Sequence, residues 1–148
     1  MKLARLTQLG VPAGAAPLEV QHVAFLNVIC LIAIGFTIIT VLLSLVGGAT
    51  TVGNFIYASV AGKVPPAAAM GLNARGWHMA AAIWFIAYVI LSTAGAAWLF
   101  GAGAGLQYWY IPAVVLAFML FPPERRRTAL GAAAVTAAAV VGFCLGLA

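Results

Sequence analysis

Two histidines, two cysteines, two carboxylates and one displaced lysine carry nearly all the reactive chemistry in these 148 residues. His22 stands just before the first apolar segment and His78 is second in the third. Both segments run in the same sense, so the two imidazoles fall at one end of the fold. A pair of imidazoles is the minimum for bis-histidine haem, and helical bundles host such sites. No further spacing accompanies the pair, and an ordinary interfacial role is the simpler reading. Cys30 and Cys144 lie at different depths, whereas bridged Cα atoms must come within roughly 7 Å. They read as buried thiols acting as small hydrophobes. Glu19 and Glu124 form no carboxylate pair, and no nucleophile–base pair or metal-ligand cluster is visible. The chain is therefore expected not to be an enzyme, and no cofactor is assigned to it.

Lys63 differs from the other charges because it falls inside an apolar stretch, with Asn54 and the pair Pro65-Pro66. An ammonium near a bilayer centre costs roughly 2.5–3.5 kcal/mol on insertion scales. Three readings compete: it snorkels along a tilted, kinked helix, it faces a polar cavity or anionic ligand, or it pairs with another protein chain. Trp77, Trp84, Leu91 and Trp98 recur every seven residues, with Tyr88 four after Trp84. Such a stripe suits a pocket for a flat hydrophobic ligand (a quinone or pigment), or it faces lipid or packs. Asn27, Cys30, Thr37 and Ser44 share another stripe, and small polar residues in lipid usually hydrogen-bond to neighbouring helices. Gly131, Ala134, Ala138 and Gly142 make a third face, small enough for close helix approach.

The elements that position these residues follow from composition. Hydrophobic residues make up 66% of the chain, charged residues 6%, and the mean hydropathy is +1.15. Soluble domains carry about a quarter charged residues, so that class is excluded; disorder is excluded because the chain is too apolar. The expected fold is an all-α integral membrane protein with spans at about 23–46, 51–72, 77–100, 104–121 and 128–148. Residues 1–22 form an N-terminal arm ahead of this single transmembrane domain, 23–148. The four connections share 17 residues, leaving no room for a soluble insert. In hydrocarbon the backbone must satisfy itself, which favours helices, and these segments are about twice the length a barrel strand needs. The arm does not read as a signal peptide, since no cleavage-like site followed by a polar region appears.

Orientation follows the basic residues. With the N-terminus in the cytoplasm, Lys2, Arg5, Arg75, Arg125, Arg126 and Arg127 share one side, and the opposite connections are uncharged. Five spans then put the C-terminus outside. Trp77 and Trp98 mark the two interfaces of span three, and Tyr108-Trp109-Tyr110 the outer start of span four. Arg75 and Arg125–Arg127 read as topology anchors against anionic lipid headgroups. Topology thus accounts for the +5 net charge, and no nucleic-acid binding is expected. The Ala- and Gly-rich, Arg-over-Lys composition suggests a bacterium and a multi-pass protein of its inner membrane.

Leu72-Asn73-Ala74-Arg75-Gly76-Trp77-His78, Gly103-Ala104-Gly105, and the run from Phe118-Met119-Leu120-Phe121 through Pro122-Pro123-Glu124 to Arg125-Arg126-Arg127 carry a resemblance. The chain resembles the multi-span membrane-associated sensor domains found N-terminal to bacterial nucleotide cyclases, diguanylate cyclases and histidine kinases. The resemblance covers about residues 20–148. It implies a regulatory module that senses something in or beside the membrane and biases an attached catalytic domain. Such domains usually have six spans and then a cytoplasmic output domain, whereas five spans are read here, so a partial chain or a free-standing subunit is expected.

Two functions follow as expectations. The first is a non-catalytic sensor or anchor module that regulates or tethers a partner. The second is a small accessory subunit of a larger membrane complex, photosynthetic or respiratory. Membrane lipids and other membrane protein chains, as homo-oligomer or hetero-complex, are the expected partners.

Overall fold

Proline and glycine punctuation sets most helix boundaries in the computed structural model, which describes residues 2–47, 60, 62–100, 110–121 and 125–146. In chain order the elements are α1 (Lys2–Thr7), α2 (Pro17–Gly47), α3 (Val64–Ala74), α4 (His78–Phe100), α5 (Tyr110–Leu120) and α6 (Arg126–Gly146). The described residues contain no strand, so the all-helical class holds for them. Among the described residues two helical stretches are long and apolar enough to cross a membrane, Pro17–Ile39 and His78–Gly95. They overlap the expected first and third spans, 23–46 and 77–100.

Helix α2 begins earlier than the first apolar segment. Pro17 is its first residue, where a missing N–H costs nothing, and Glu19 in the first turn complements the positive helix end. Its 31 residues measure about 46 Å, more than a hydrocarbon layer of about 30 Å. Ile32, Phe36 and Ile39 are each more than half exposed, and Trp84 and Leu91 stand out from α4 in the same manner. Apolar faces of this kind belong against lipid or another chain.

In the segment expected as the second span, 51–72, the structure describes residues 60 and 62–72. A turn at Gly62-Lys63 precedes α3, whose N-cap is Lys63 and whose first turn holds Pro65 and Pro66. Prolines lack the N–H that the first turn leaves unpaired, so this pair starts a helix and does not bend one. Helix α3 has 11 residues, about 16 Å, or half a hydrocarbon thickness. Residues 51–59, Asn54 among them, lie outside the described set.

The chain divides into two units, Met1–Ala81 and Ala82–Ala148. In the first, α3 runs antiparallel to α2, with Asn73 beside Val23 and Asn27, and Gly62 beside Thr37. Pro66, Ala69, Met70 and Asn73 are the buried side of α3. Gly62 is required at its position, because an added Cβ would overlap the Thr37 side chain. Helix α1 packs back on α2, so the first 16 residues are a docked element and not a free tail. Helix α3 ends in a Schellman turn: Gly76, at φ +79°, donates to Asn73 O at 3.0 Å and Trp77 donates to Leu72 O at 3.0 Å.

In the second unit α5 packs on α6, burying Ala113, Ala117, Leu120 and Phe121 on one side and Ala129 and Ala133 on the other. The ring of Phe85, 2% exposed, lies 5.8 Å from that of Tyr88 in a tilted arrangement. Helix α6 measures about 31 Å, close to the expected fifth span. Residues 101–109 and 122–124 lie outside the described set, and with them most of the two flanking connections.

Candidate functional site

The most polar feature of the buried interior is a chain of hydrogen bonds through Asn27, Asn73 and His78. Asn27 and Asn73 are both 0% exposed, and they are the only polar side chains buried among the described residues. Asn27 Nδ2 donates to two carbonyls, Leu9 O at 2.8 Å and Thr7 O at 3.1 Å. Those carbonyls lie at and just beyond the end of α1. Asn73 Nδ2 donates to Val23 O at 3.2 Å and to Asn27 Oδ1 at 2.8 Å. His78 Nδ1 then donates to Asn73 Oδ1 at 2.6 Å.

The sense of each amide follows from its neighbours. Backbone carbonyls only accept, so the atom of Asn27 facing Thr7 and Leu9 is the nitrogen, and its oxygen faces Asn73. The same reasoning turns Asn73 Nδ2 toward Val23 and its oxygen toward His78. Both amides spend both protons, which is the condition under which a buried polar network stabilises a fold. The network places a proton on His78 Nδ1.

Backbone shape completes the junction. Gly10 adopts φ +83° and lies so close to Asn73 that an added Cβ would sit 2.6 Å from the Asn73 carbonyl carbon. Only glycine permits that approach and that φ together. One turn of the arm, one turn of α2, the end of α3 and the start of α4 therefore meet at Asn73. The sequence reading placed Asn27 on an inter-helix stripe and Asn73 in a connection, without joining them. The available signal was two of the chain's three asparagines, Asn27 and Asn73, in a sequence nearly devoid of internal polar groups, with Asn73 followed by Gly76 and His78.

The other expected site residues are placed as follows. His22 Nδ1 donates to Leu18 O at 2.7 Å, one turn back on its own helix. Thr37 Oγ1 donates to Ala33 O at 2.8 Å and to Gly62 O at 3.3 Å, joining α2 to the turn before α3. Cys30 is a free, fully buried thiol; the Cys144, Ser44 and Trp98 side chains lie outside the described set, as does that of Arg126. Lys63 is half-buried, at a helix start and not in a helix interior. Trp84 is 47% exposed, while Tyr88 is half-buried against Phe85. Arg75, Arg125 and Arg127 are exposed. Gly131, Ala134, Ala138 and Gly142 are all exposed along α6, and a Cβ at either glycine would meet open space.

No protein family, curated protein or solved structure matches this chain.

Proposed function

We propose that the chain is a non-catalytic membrane module that regulates or tethers a partner protein. The observation that carries this reading is the Asn27–Asn73–His78 junction. It ties the N-terminal arm to α2, to the end of α3 and to His78, so a displacement of α2 or α3 is passed to the arm. A sensor or anchor needs such a joint where its membrane helices meet the compartment of its partner. The finer reading is a five-span protein of a bacterial inner membrane, with the N-terminus cytoplasmic and the C-terminus outside. The basic residues at 2, 5, 75 and 125–127, all on one side of that arrangement, support it.

Purification in mild detergent, followed by mass spectrometry of the intact complex, tests the proposal. A membrane or membrane-attached partner in fixed ratio is the expected result. Recovery of this chain alone, stable and fully helical, would sink it. Cysteines introduced at Arg75 and Gly103 test topology: a membrane-impermeant thiol reagent added outside should label only position 103.

The exposed small-residue face of α6 favours a second reading, an accessory subunit of a larger photosynthetic or respiratory complex. The same purification distinguishes the two, since that complex would bring pigment or redox bands into the absorption spectrum. A Soret band lost in both His22→Ala and His78→Ala would instead support a bis-histidine haem.

A further inference from the structure

We propose that the docked arm and the turn before α4 form one surface for anionic lipid headgroups, and that such lipids hold the arm in its docked position. The inference rests on the membrane-module reading above for the bilayer, and it adds a regulator of the junction.

Docking of the arm brings two cations together. Thr7 and Leu9, two and four residues after Arg5, supply the carbonyls that Asn27 holds. Gly10 then abuts Asn73 and Ala74, and Arg75 is the next residue of that turn. Arg5 and Arg75 are both exposed. Lifting the arm would separate them, so their approach belongs to the docked state. Their unit, Met1–Ala81, holds the basic residues Lys2, Arg5, Lys63 and Arg75 against a single acid, Glu19. Neighbouring cations in excess over acids repel, and an anion shared between them reverses the sign. An anion that binds the docked state better than the lifted one shifts the equilibrium toward docking.

The apolar groups interleaved with these charges mark the anion as a lipid headgroup. Trp77, 62% exposed, stands two residues after Arg75; Leu6, 39% exposed, follows Arg5; Leu18, 45% exposed, is in the first turn of α2. An indole beside a guanidinium suits the headgroup layer, where the ring meets the acyl boundary and the cation meets phosphate. A free phosphate offers nothing to the indole or the leucines. The position in the fold agrees. Among the described residues the two stretches able to cross a membrane begin at Pro17 and His78. Asn73 bonds both Val23, near the start of the first, and His78, the start of the second. A junction at which both stretches begin belongs at a membrane boundary.

The test places the full chain in lipid nanodiscs, made of phosphatidylcholine alone or of phosphatidylcholine with phosphatidylglycerol, and reads hydrogen exchange at residues 2–16. The arm should exchange about 25-fold more slowly with the anionic lipid, about fivefold for each of two arginines at about 1 kcal/mol. High salt should remove the difference. Arg5→Gln and Arg75→Gln should each leave about a fivefold difference, and the double substitution none. All three should be at least as protected as the wild type in phosphatidylcholine alone, which separates lost lipid binding from a misfolded chain. Arg125→Gln, in the other unit, should keep the full difference. Equal exchange in the two lipids overturns the proposal. So does an equal gain from inorganic phosphate added to phosphatidylcholine discs, or a loss in Arg125→Gln as large as in Arg75→Gln. If the chain does not enter nanodiscs, the membrane reading fails with it; if it enters and the arm ignores lipid charge, this proposal alone fails.

Discussion

The side-chain amide of Asn73 donates to Asn27 Oδ1 at 2.8 Å across 46 residues of sequence, with both side chains at 0% exposure. Removing either partner orphans groups that water cannot reach. Asn27→Ala leaves one Asn73 Nδ2 proton without its acceptor, and Asn73→Ala leaves Asn27 Oδ1 without its donor. Each buried group left unsatisfied costs about 1–3 kcal/mol. Denaturant titration in detergent should show each single substitution destabilised by at least that amount. The double substitution should cost less than the two added, with a coupling of about 0.5–3 kcal/mol. Strict additivity would mean that the two amides do not act as one network.

Two glycines of the arm separate backbone strain from steric overlap. Gly10 at φ +83° and Gly14 at φ +80° both occupy the left-handed region, but only Gly10 abuts Asn73; a Cβ on Gly14 meets open space. Gly14→Ala should cost about 1–2 kcal/mol, the conformational term alone. Gly10→Ala adds a clash with the Asn73 carbonyl and should release the arm. Limited proteolysis of residues 2–16 and hydrogen exchange at Asn27 check this. Equal protection in the two variants would show that the arm does not dock on Asn73.

What could be read from the chain without coordinates divides along a physical line. Periodicity and composition made α2 and α4 legible, because an apolar run longer than 20 residues has few alternatives to a helix. They leave the role of Pro65-Pro66 open. Prolines inside an apolar run suit both a kinked span and a new helix start, and only the tertiary contact of Gly62 with Thr37 decides between them. The arm was legible as a separate N-terminal segment but not as folded, since its docking depends on one glycine φ and on amide bonds that span 18 and 20 residues. Asn27 was placed on an inter-helix stripe from spacing alone. Its partner Asn73 was hidden because it looks like any turn residue.

Gly62 and Gly71 flank most of α3 and predict opposite signs. A Cβ on Gly62 would overlap Thr37, so Gly62→Ala must push α3 away from α2 or break the Thr37 bond to Gly62 O. A loss of about 1–3 kcal/mol is expected, as for other overpacked positions. Gly71 is in mid-helix with nothing within 4 Å of its Cβ, so Gly71→Ala should stabilise the chain by about 0.4–1 kcal/mol. Thermal unfolding of the two variants side by side reads the difference. A stabilised Gly62→Ala would contradict the antiparallel seating of α3.

His78 closes the relay, and its protonation pattern is the most direct readout of it. Neutral histidine carries one proton, on Nδ1 or on Nε2. Here Asn73 Oδ1, 2.6 Å from His78 Nδ1, can only accept, because Asn73 Nδ2 is committed to Val23 O and Asn27 Oδ1. The proton is therefore held on Nδ1 and the lone pair on Nε2. Nitrogen-15 NMR of the protein at alkaline pH should find His78 in this tautomer. In Asn73→Leu the acceptor is gone, and the His78 signals should move toward a mixed population of the two tautomers. Asn27→Leu leaves Asn73 Oδ1 in place but frees one Asn73 proton, so its effect should be smaller and in the same direction. A wild-type spectrum with the proton on Nε2 would show that the bond from His78 to Asn73 is not made, leaving the two amides held by their backbone carbonyls alone.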